Sequence, residues 1–211
     1  MPPRVGHRGF FITLEGGDGS GKSTQAALLA RWLRRKRHVV HLTREPGGTP
    51  LGEKIRSTLF SSGWANEAEL FLFQALRAQH VFTVIRRELA AGHVVICDRF
   101  ADSTMAYQGY GLGMDRDLVA QLTEKATYGV VPNLTLILDE PAESGLRKAT
   151  RRQLMEQRGT AFQRRVRNGF RRIAKEHPDR CRLIPVQDTP QETHQLIRSI
   201  VSDALARRRR P

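Results

Sequence analysis

A glycine-rich segment near the start of the chain limits its possible folds and functions more than any other feature. Residues 16–23 read GGDGSGKS and match the pattern G-x-x-x-x-G-K-[ST]. An apolar, β-prone run precedes this segment at residues 10–14, and a helical pattern follows it. Strand, glycine loop and helix in this order are the context in which the pattern binds phosphate. The sequence therefore predicts a nucleoside triphosphate site.

Each residue type in this loop suits phosphate binding. Glycines adopt backbone angles that a Cβ forbids, so successive N–H groups can turn inward around phosphate oxygens at the positive end of a helix dipole. Lys22 is expected to reach the β- and γ-phosphates, and the Ser23 hydroxyl to hold Mg²⁺. We expect ATP to contact the whole loop, comprising Gly16, Gly17, Asp18, Gly19, Ser20, Gly21, Lys22, Ser23 and Thr24.

Apolar strand patterns alternate with helical patterns along all 211 residues. Strands are predicted at residues 9–14, 38–43, 93–97, 134–138 and 182–186. Helices are predicted at residues 22–37, 50–59, 65–91, 100–108, 115–127, 141–177 and 190–206. Such alternation favours a parallel sheet covered on both faces. We predict one α/β domain, a P-loop three-layer sandwich with a five-stranded parallel sheet and a helical lid at about residues 141–160.

Several features predict a cytoplasmic protein. No run of residues has the length and apolarity of a membrane-spanning helix, and residues 1–8 are too short and polar for a signal peptide. Cys97 and Cys181 fall inside predicted strands and lack metal-site spacing, so we expect reduced thiols in the core.

The net charge of +14 is concentrated in one segment. Residues 147–182 carry 13 basic and 3 acidic side chains, and four more arginines lie at residues 207–210. This segment could bind nucleic acid, grip an anionic ligand or form a solvated helix face. Its only aromatic residues are Phe162 and Phe170, which argues against a stacking platform for single strands. We therefore do not expect nucleic acid to be the main partner.

Two predicted strands end in an aspartate, at Asp98 and Asp139. Ligands of open α/β sheets bind outside the carboxyl ends of the strands, so either carboxylate could hold Mg²⁺ near the phosphates. Asp98 is the better candidate because Arg99 follows it and adds a cation for a second anion. The alternative, favoured for Asp139, is that the side chain caps the next helix.

Together with the phosphate loop, several further sequence runs resemble the bacterial thymidylate kinase family of nucleoside monophosphate kinases. The resemblance covers residues 9–140 and is carried by specific runs. They are LEG before the phosphate loop at 14–16, TREPGGT at 43–49, the pair Phe73 and Arg77, DRF at 98–100, SxxAYQG at 103–109, and PNL at 132–134. It implies an α/β kinase that transfers the γ-phosphoryl group of ATP to dTMP with Mg²⁺, in dTTP biosynthesis.

The resemblance also assigns acceptor roles. Arg99 and Arg56 would clamp the dTMP phosphate, since guanidinium groups suit that geometry. Phe73 would stack on thymine, and Arg77, one helical turn later, would hydrogen-bond a thymine carbonyl. The alternatives are that Phe73 belongs to the core and that both Arg56 and Arg77 are surface charges.

Further residues are assigned to the sugar and the base. Ser103 would contact the other polar edge of the base, and Tyr107 would lie against the sugar where a 2′-OH would be. Asp18 would meet the 3′-OH. The remaining assigned positions, which shape or bind the acceptor, are Glu45, Pro46 and Gln108. Glu45 could also help to place Mg²⁺, and Tyr107 could instead be buried packing.

The family places a transition-state arginine in either the phosphate loop or the lid. The loop of this chain has none, so the lid should supply it alongside Lys22 and Arg99, and we expect Arg151 and Arg152 to be catalytic. The basic residues available in the lid are Arg147, Lys148, Arg151, Arg152 and Arg158. The family's lid Asp-Arg with a Glu two residues later is replaced here by QLME at 153–156, so the lid departs from the pattern.

The resemblance implies a homodimer, with the helix predicted at residues 65–91 as a plausible interface. Two alternatives to dTMP phosphorylation remain open on the sequence. The chain could phosphorylate another nucleotide or small phosphate acceptor. It could also be a nucleotide-binding relative that binds polyanions with little turnover, for which the altered lid and the arginines at 207–210 are the support.

Overall fold

Five parallel strands form one sheet in the computed structural model, which describes residues 8–60, 63–148 and 158–208. The strand order is β2-β3-β1-β4-β5. The strands are β1 (Phe10–Gly16), β2 (Val40–Arg44), β3 (Val94–Asp98), β4 (Leu134–Asp139) and β5 (Cys181–Pro185). The predicted five-stranded parallel α/β sheet is confirmed, with bounds shifted by one or two residues.

Helices connect the strands and cover both faces of the sheet. They are α1 (Lys22–Arg35), α2 (Pro50–Leu59), α3 (Asn66–His80), α4 (Arg86–Ala90), α5 (Ala101–Thr104), α6 (Arg116–Thr127), α7 (Ala142–Lys148), α8 (Gly159–Glu176) and α9 (Pro190–Arg208). Two π-helical segments, Val81–Ile85 and Met105–Gly111, continue α3 and α5. The sequence predicted ordinary helix over residues 65–91 and 100–108, because apolar residues recurring every three or four positions do not distinguish a wider turn from an α-helical one. The second helical segment continues to Gly111, beyond the glycine-rich break predicted from residue 109.

Helix α8 packs very closely on the second π-helical segment. A Cβ at Gly111 would lie 2.7 Å from the Phe162 ring, and one at Gly169 would lie 2.7 Å from Tyr110. Two glycines facing the partner element therefore bring the two helical backbones together. Phe162 and Phe170 of α8 also pack edge-on against Tyr107, with ring centroids 6.0 and 6.3 Å apart. This contact fixes α8 beside the segment that carries the predicted acceptor residues.

The core divides between the two faces of the sheet because successive strand residues point to opposite sides. On one face, α1 and α9 bury Leu29, Leu33 and Ile197 against the sheet. On the other, Phe11 packs edge-on against Phe100 at 5.0 Å between ring centroids.

The strand order brings the ends of β1, β2 and β3 together. β1 lies between β3 and β4, and the register pairs Leu14 of β1 and Arg44 of β2 with Asp98 at the end of β3. In open α/β sheets, the point where the strand order reverses forms a crevice at the carboxyl ends. The loop that leaves β1 and the carboxylate of Asp98 therefore meet at one edge of the sheet.

Several local predictions are confirmed. Pro50 opens α2 behind Thr49, whose side chain accepts a hydrogen bond from the Gly52 N–H. Cys97 and Cys181 are buried free thiols in β3 and β5. Within the described residues, no helix has the length and apolarity needed to cross a membrane.

Candidate active site

The phosphate loop connects β1 to α1, as the sequence predicted. Gly16 has φ of 138°, and a Cβ there would lie 2.5 Å from the Leu138 carbonyl oxygen. Gly21, at φ of 86°, precedes the first residue of α1. Both positions require glycine, the first because β4 approaches closely and the second because the backbone turns left-handed before the helix. The loop thus presents its N–H groups at the start of α1, where a phosphate is stabilised.

Lys22 is buried at the mouth of this loop. Its Nζ donates hydrogen bonds to the Gly17 carbonyl at 2.5 Å and to Ser20 Oγ at 3.2 Å. Burial, with the nearby charge of Arg99, lowers the pKa of Lys22 to about 8, so the ammonium group is still mainly charged at neutral pH. Burial disfavours the charged form of Lys22, and a phosphate entering the loop would stabilise that charge.

Ser23 and Asp98 form a pair of oxygen groups beside the lysine. The Ser23 hydroxyl donates to Asp98 Oδ2, while Asp98 Oδ1 is buried and has no hydrogen-bond partner among the residues described. Hydroxyl and carboxylate oxygens are ligands that Mg²⁺ accepts, and an orphaned buried carboxylate oxygen calls for a cation. The residues present therefore fit the predicted magnesium site.

A cavity of about 350 Å³ opens beside the phosphate loop and gathers most of the predicted site. The predicted residues that line it are Asp18, Gly19, Gly21, Lys22, Ser23, Thr24, Glu45, Pro46, Arg56, Phe73, Arg77, Asp98, Arg99, Ser103, Tyr107 and Gln108. Gly16, Gly17 and Ser20 belong to the loop but do not line the cavity. Arg151 and Arg152 lie outside the described residues. Arg44, Phe60 and Thr104 also line the cavity and were not predicted.

The Asp18 carboxylate is the centre of a hydrogen-bond network at this cavity. Its Oδ1 accepts from Arg99 Nη2 at 2.5 Å and from the Tyr107 hydroxyl at 2.8 Å, and its Oδ2 accepts from Gln163 Nε2 at 2.8 Å. Burial opposes ionisation, but Arg99, Lys22 and the hydrogen bonds outweigh it and lower the pKa of Asp18. The aspartate inside the phosphate loop is therefore held as a charged group.

Arg99 is held in place from several directions. It has φ of 70°, unusual for a residue with a Cβ, and its Nη1 donates to the Gly16 carbonyl at 3.2 Å. Its guanidinium carbon lies 5.0 Å from the centre of the Tyr107 ring. Uncommon backbone angles in a residue that points into a cavity are typical of functional sites. The arginine thus presents a fixed positive charge beside the phosphate loop.

Arg77 is buried, so the alternative that it is a surface charge is wrong. Its Nε donates to Glu45 Oε2 at 2.8 Å, and its Nη atoms donate to Gln74 Oε1, Thr104 Oγ1 and the Phe100 carbonyl at 2.9–3.1 Å. These partners hold the guanidinium plane in one orientation at the cavity wall. Arg77 is a preorganised donor whose placement depends on its neighbours.

Glu45 is also held by His80, a residue that the sequence reading missed. His80 is fully buried, its Nδ1 donates to Glu45 Oε1 at 3.0 Å, and its Nε2 lies 2.8 Å from Thr43 Oγ1. Arg77 and His80 overcome the effect of burial and lower the pKa of Glu45. The sequence spacing could have identified His80, because it lies three residues after Arg77 and therefore on the same side of α3.

Glu45, His80 and Cys97 also bring three potential metal-ligand atoms within 4.8 Å of one another. Each is already engaged: Glu45 with Arg77 and His80, His80 with Thr43, and the Cys97 thiol with the Arg99 carbonyl at 3.0 Å. Burial raises the pKa of Cys97 well above its usual range, so the thiol stays protonated. We interpret this group as a hydrogen-bond network that supports the cavity wall.

Ser103 rests on a buried carboxyl group that the sequence reading did not assign. Its hydroxyl is 2.5 Å from Glu15 Oε2, and the Phe100 N–H donates to Glu15 Oε1 at 2.8 Å. Burial, followed by the charge of Asp102, raises the pKa of Glu15 to about 8. The Ser103 hydroxyl thus donates to a carboxyl group that is mainly protonated at neutral pH, and Ser103 keeps a lone pair for another partner.

Arg56 and Phe73 lie on opposite elements that face the cavity. Arg56 of α2 is half-buried, donates from Nη1 to the Pro46 carbonyl and stacks 5.0 Å from the centre of the Phe60 ring. Phe73 of α3 is half-buried and packs against the cluster of α8 and Tyr107. Phe73 therefore lies at the edge of the core and also lines the cavity. This position is compatible with both interpretations of the sequence, a core residue and a residue that stacks on the base.

Gln108 is oriented by Glu69, another residue missed in the sequence. Both are buried, and Gln108 Nε2 donates to Glu69 Oε1 at 3.0 Å, while Arg158 Nη2 donates to Glu69 Oε2 at 3.0 Å. The Gln108 amide nitrogen and the Arg158 guanidinium group thus donate to the two oxygens of one carboxyl group. Arg158, the residue before α8, is thereby joined to α3.

Much of the basic charge of α8 is paired with acidic groups of the same chain. Asp139 accepts from Arg167 Nε at 2.6 Å and from Arg171 Nη2 at 2.7 Å, and Arg164 Nε donates to Glu143 at 2.6 Å. Both oxygens of Asp139 are therefore engaged, and this residue does not line the cavity. Of the two aspartates at strand ends, Asp98 is the one that remains available for a metal ion.

A phosphate loop at the end of the central strand, with an acceptor cavity opening beside its lysine, is the arrangement of kinases that pass a phosphoryl group to a small acceptor. The chain is thus an enzyme of the P-loop kinase class. The comparisons with known proteins narrow that class. The family model described as thymidylate kinase matches residues 14–197, so the chain belongs to the thymidylate kinase family.

Individual relatives agree with the family match. The chain is 48% identical to a thymidylate kinase of Synechococcus sp., over 92% of this chain and 95% of that protein. It is 49% identical to a thymidylate kinase of Caulobacter vibrioides, over 84% of this chain and 88% of that protein. The crystal structure of thymidylate kinase from Ehrlichia chaffeensis superposes with a TM-score of 0.78 at 39% identity, covering 92% and 98% of the two chains. The alternatives of another kinase or a polyanion binder are not favoured.

Proposed function

We propose that this protein transfers the γ-phosphoryl group of ATP to the phosphate of dTMP, giving dTDP and ADP, in the synthesis of dTTP. The observation that carries the proposal is the Asp18 network, which joins the phosphate loop directly to Arg99 and Tyr107 on the acceptor side. A donor loop and an acceptor pocket that share one carboxylate hold the two substrates at adjacent positions. Positioning supplies much of the catalysis in phosphoryl transfer.

The donor would bind across residues 16–24, with its phosphates in the loop and at Lys22. Ser23 and Asp98 would hold Mg²⁺, because their oxygens are adjacent and Asp98 Oδ1 is otherwise unpartnered among the described residues. A bound Mg²⁺ would neutralise charge on the β- and γ-phosphates. Lys22, whose pKa of about 8 leaves it mainly protonated at neutral pH, would exchange its bonds within the loop for bonds to phosphate oxygens.

The acceptor would lie in the cavity with its phosphate between Arg99 and Arg56. Both guanidinium groups face the cavity, and they supply the positive charge that a phosphate requires. The base would stack on Phe73, with Arg77 donating to a thymine carbonyl. Further contacts proposed from the resemblance come from Asp18, Glu45, Pro46, Ser103, Tyr107 and Gln108.

The reaction needs no protein nucleophile. An oxygen of the dTMP phosphate attacks the γ-phosphorus in line while the bond to the β-phosphate oxygen of ATP breaks, and ADP leaves. Lys22 and Arg99 would stabilise the charge that develops on the transferring group. We infer that arginines of a lid at about residues 141–160, including Arg151 and Arg152, complete this charge. Among the described residues of that region, Arg147 is exposed and Arg158 is bonded to Glu69.

We also infer a homodimer of one-domain subunits in the cytoplasm. Support for the dimer comes from exposed apolar side chains on adjacent helices, where the ring centroids of Phe82 and Tyr128 lie 6.0 Å apart. Phe71 and Leu118, on the neighbouring α3 and α6, are also exposed. The buried free thiols of Cys97 and Cys181 support a reducing compartment. Sedimentation of the wild type and of Phe82→Glu would test the interface.

A coupled ADP-release assay tests the activity. It uses ATP and Mg²⁺ with dTMP, dUMP, UMP, CMP, AMP and GMP, and compares the wild type with Lys22→Ala and a control, Lys36→Ala, at the end of α1. We expect dTMP to be preferred and Lys22→Ala to lower kcat by about 10²-fold or more, the effect of losing one preorganised charge at the transferring group. Lys36→Ala should match the wild type.

Each other result would reject part of the proposal. Faster turnover of another acceptor would move the activity to a sister kinase. No turnover of any acceptor, together with tight and salt-dependent DNA binding, would favour the polyanion-binding alternative.

A further inference from the structure

Gln163 of α8 reaches the phosphate loop and bonds the Asp18 carboxylate there. Its Nε2 donates to Asp18 Oδ2 at 2.8 Å, and the two residues are only 3% and 5% exposed. Gln163 belongs to neither the phosphate-loop pattern nor the other runs that identify the acceptor site. We infer that Gln163 is a positioning residue that fixes the Asp18 carboxylate and, through it, the acceptor groups Arg99 and Tyr107. The inference rests on the proposed function.

The two oxygens of the Asp18 carboxylate have different partners, and this difference explains why the contact with Gln163 matters. Arg99 and Tyr107 both bond Oδ1, whereas Gln163 bonds Oδ2. The terminal torsion of an aspartate is broad, so two donors on the same oxygen leave the carboxylate plane free to turn. A donor on the second oxygen removes that freedom. Gln163 therefore sets the direction in which Asp18 presents Oδ1 to the acceptor side.

Gln163 stands on a support rigid enough for this role. Its neighbour Phe162 packs edge-on against Tyr107, and a Cβ at Gly111 would lie 2.7 Å from the Phe162 ring. Helix α8 and the segment that carries Tyr107 are therefore in close contact beside the cavity. Groups that must orient a site are most effective when packing locks their own rotamers.

The same aspartate also contacts the helix on the other side of the predicted lid. A Cβ at Gly145 of α7 would lie 2.4 Å from the Asp18 carbonyl oxygen, so α7 packs directly on the loop backbone. α7 and α8 are the two described helices that border residues 149–157. Asp18 is thus held by α7 through its backbone and by α8 through Gln163, which ties both helices to the acceptor site.

The first test replaces Gln163 by a residue of similar size without a donor. For Gln163→Leu we expect the KM for dTMP to rise about tenfold, the effect of losing one hydrogen bond to a charged group. The KM for ATP should stay at the wild-type value, and kcat should change less than the KM for dTMP. A role in packing alone predicts no such split between the two substrates.

The second test uses Gln163→Glu, which places two carboxylates in contact. Two carboxylates at hydrogen-bond distance cannot both ionise freely, and lowering the pH lets them share a proton. We expect the KM for dTMP, divided by the wild-type value at the same pH, to be high at pH 8 and to fall towards one near pH 5.5. Arg99, Lys22 and Tyr107 face the same carboxylate. A second negative charge would raise the pKa of Lys22 above its wild-type value of about 8, so the titration of Lys22 would lower the ratio at pH 8 and cannot produce the expected rise.

Controls separate the possible failures. Gln121→Glu, on the exposed face of α6, should match the wild type throughout. A pH-independent ratio for Gln163→Glu, or equal changes of both KM values in Gln163→Leu, would overturn the inference. If the leucine variant does not fold, the pH series of the glutamate variant decides the question by itself. Failure of the wild type to phosphorylate dTMP would instead reject the proposed function.

Discussion

Two sides of the cavity differ in how many of their polar groups are hydrogen-bonded within the protein. We call them the metal side, with Lys22, Ser23 and Asp98, and the acceptor side, with Asp18, Arg77, Arg99, Ser103 and Tyr107. On the metal side, Asp98 Oδ1 is buried without a partner among the described residues, and Lys22 bonds atoms of its own loop. On the acceptor side, Arg77 and Asp18 each have three or more protein partners. The acceptor side is therefore built in advance, whereas the metal side would be completed by the ligands proposed for it.

This difference separates the expected effects of mutation. A group without hydrogen-bond partners contributes little to the free energy of folding, so its replacement should lower activity and leave stability almost unchanged. A fully bonded buried charge leaves its partner uncompensated when it is removed, so the fold loses stability as well. Substitutions on the two sides should therefore differ in whether activity or stability changes more.

The largest effect on activity is expected for Asp98→Asn. An amide in place of the carboxylate removes the charge that would hold Mg²⁺, and kcat should fall by about 10² to 10³-fold, the range for one lost electrostatic contact to the transition state. Stability in urea should change by less than about 1 kcal/mol, because Oδ1 has no partner to lose among the described residues and the amide oxygen of asparagine can keep the bond from Ser23. Turnover would be measured against Mg²⁺ concentration, with Asp203→Asn of α9 as the control.

The result for Asp98→Asn could also contradict the comparison. A variant with near-normal turnover at all Mg²⁺ concentrations would show that Asp98 does not hold the metal ion. A variant that loses several kcal/mol of stability would show that the metal side is as fully built as the acceptor side.

The largest effect on stability is expected for Arg77→Met. This change keeps the bulk of the side chain but leaves Glu45, buried at 6% exposure, with His80 and without its guanidinium partner. Breaking a buried ion pair from one side costs about 3–5 kcal/mol. Urea unfolding should detect this loss. Arg87→Met, on the exposed face of α4, provides a matched control and should stay within about 0.5 kcal/mol of the wild type. A loss under 1 kcal/mol for Arg77→Met would refute the idea of a prebuilt acceptor wall.

The two sides also differ in how many of their residues and contacts could be predicted from the sequence. The phosphate loop is local, since eight consecutive residues and their flanking elements define it, and the strand order then places Asp98 beside Ser23. Apolar strand runs and their alternation with helices were sufficient to predict the sheet. These features depend on neighbours in the chain and on general rules of α/β folds.

The supporting groups of the acceptor side could not be derived in the same way. Gln163 and Asp18 are separated by 145 positions, and Ser103 and Glu15 by 88. A buried glutamine or glutamate has no periodic signature that identifies its partner, because the contact exists only after α8 and α5 pack on the sheet. His80 is the exception, since its spacing from Arg77 could have placed it on the same side of α3.

At pH 5, the smallest effect on stability is expected for Glu15→Gln, whose consequence appears in the pH dependence of stability instead. The folded pKa of Glu15 is about 8, whereas its ordinary value is 4.5, because burial disfavours the charge. Between these values the folded protein holds a proton that the unfolded chain releases, so this group's contribution to stability falls as the pH rises from 4.5 to 8. The slope of one such group is at most about 1.4 kcal/mol per pH unit.

Glutamine removes this titration and keeps the contacts. Its oxygen can accept from the Phe100 N–H as Glu15 Oε1 does, and its amide can donate to Ser103 Oγ once that hydroxyl, which donates to Glu15 Oε2 in the wild type, turns to accept. The melting temperature of Glu15→Gln should therefore fall less between pH 5 and pH 8 than that of the wild type, while Glu67→Gln at the exposed start of α3 should follow the wild type. Parallel curves for Glu15→Gln and the wild type would mean that Glu15 is ionised in the folded protein. The acceptor side would then contain a buried negative charge beneath Ser103, and its floor would repel the dTMP phosphate that we propose Arg99 binds.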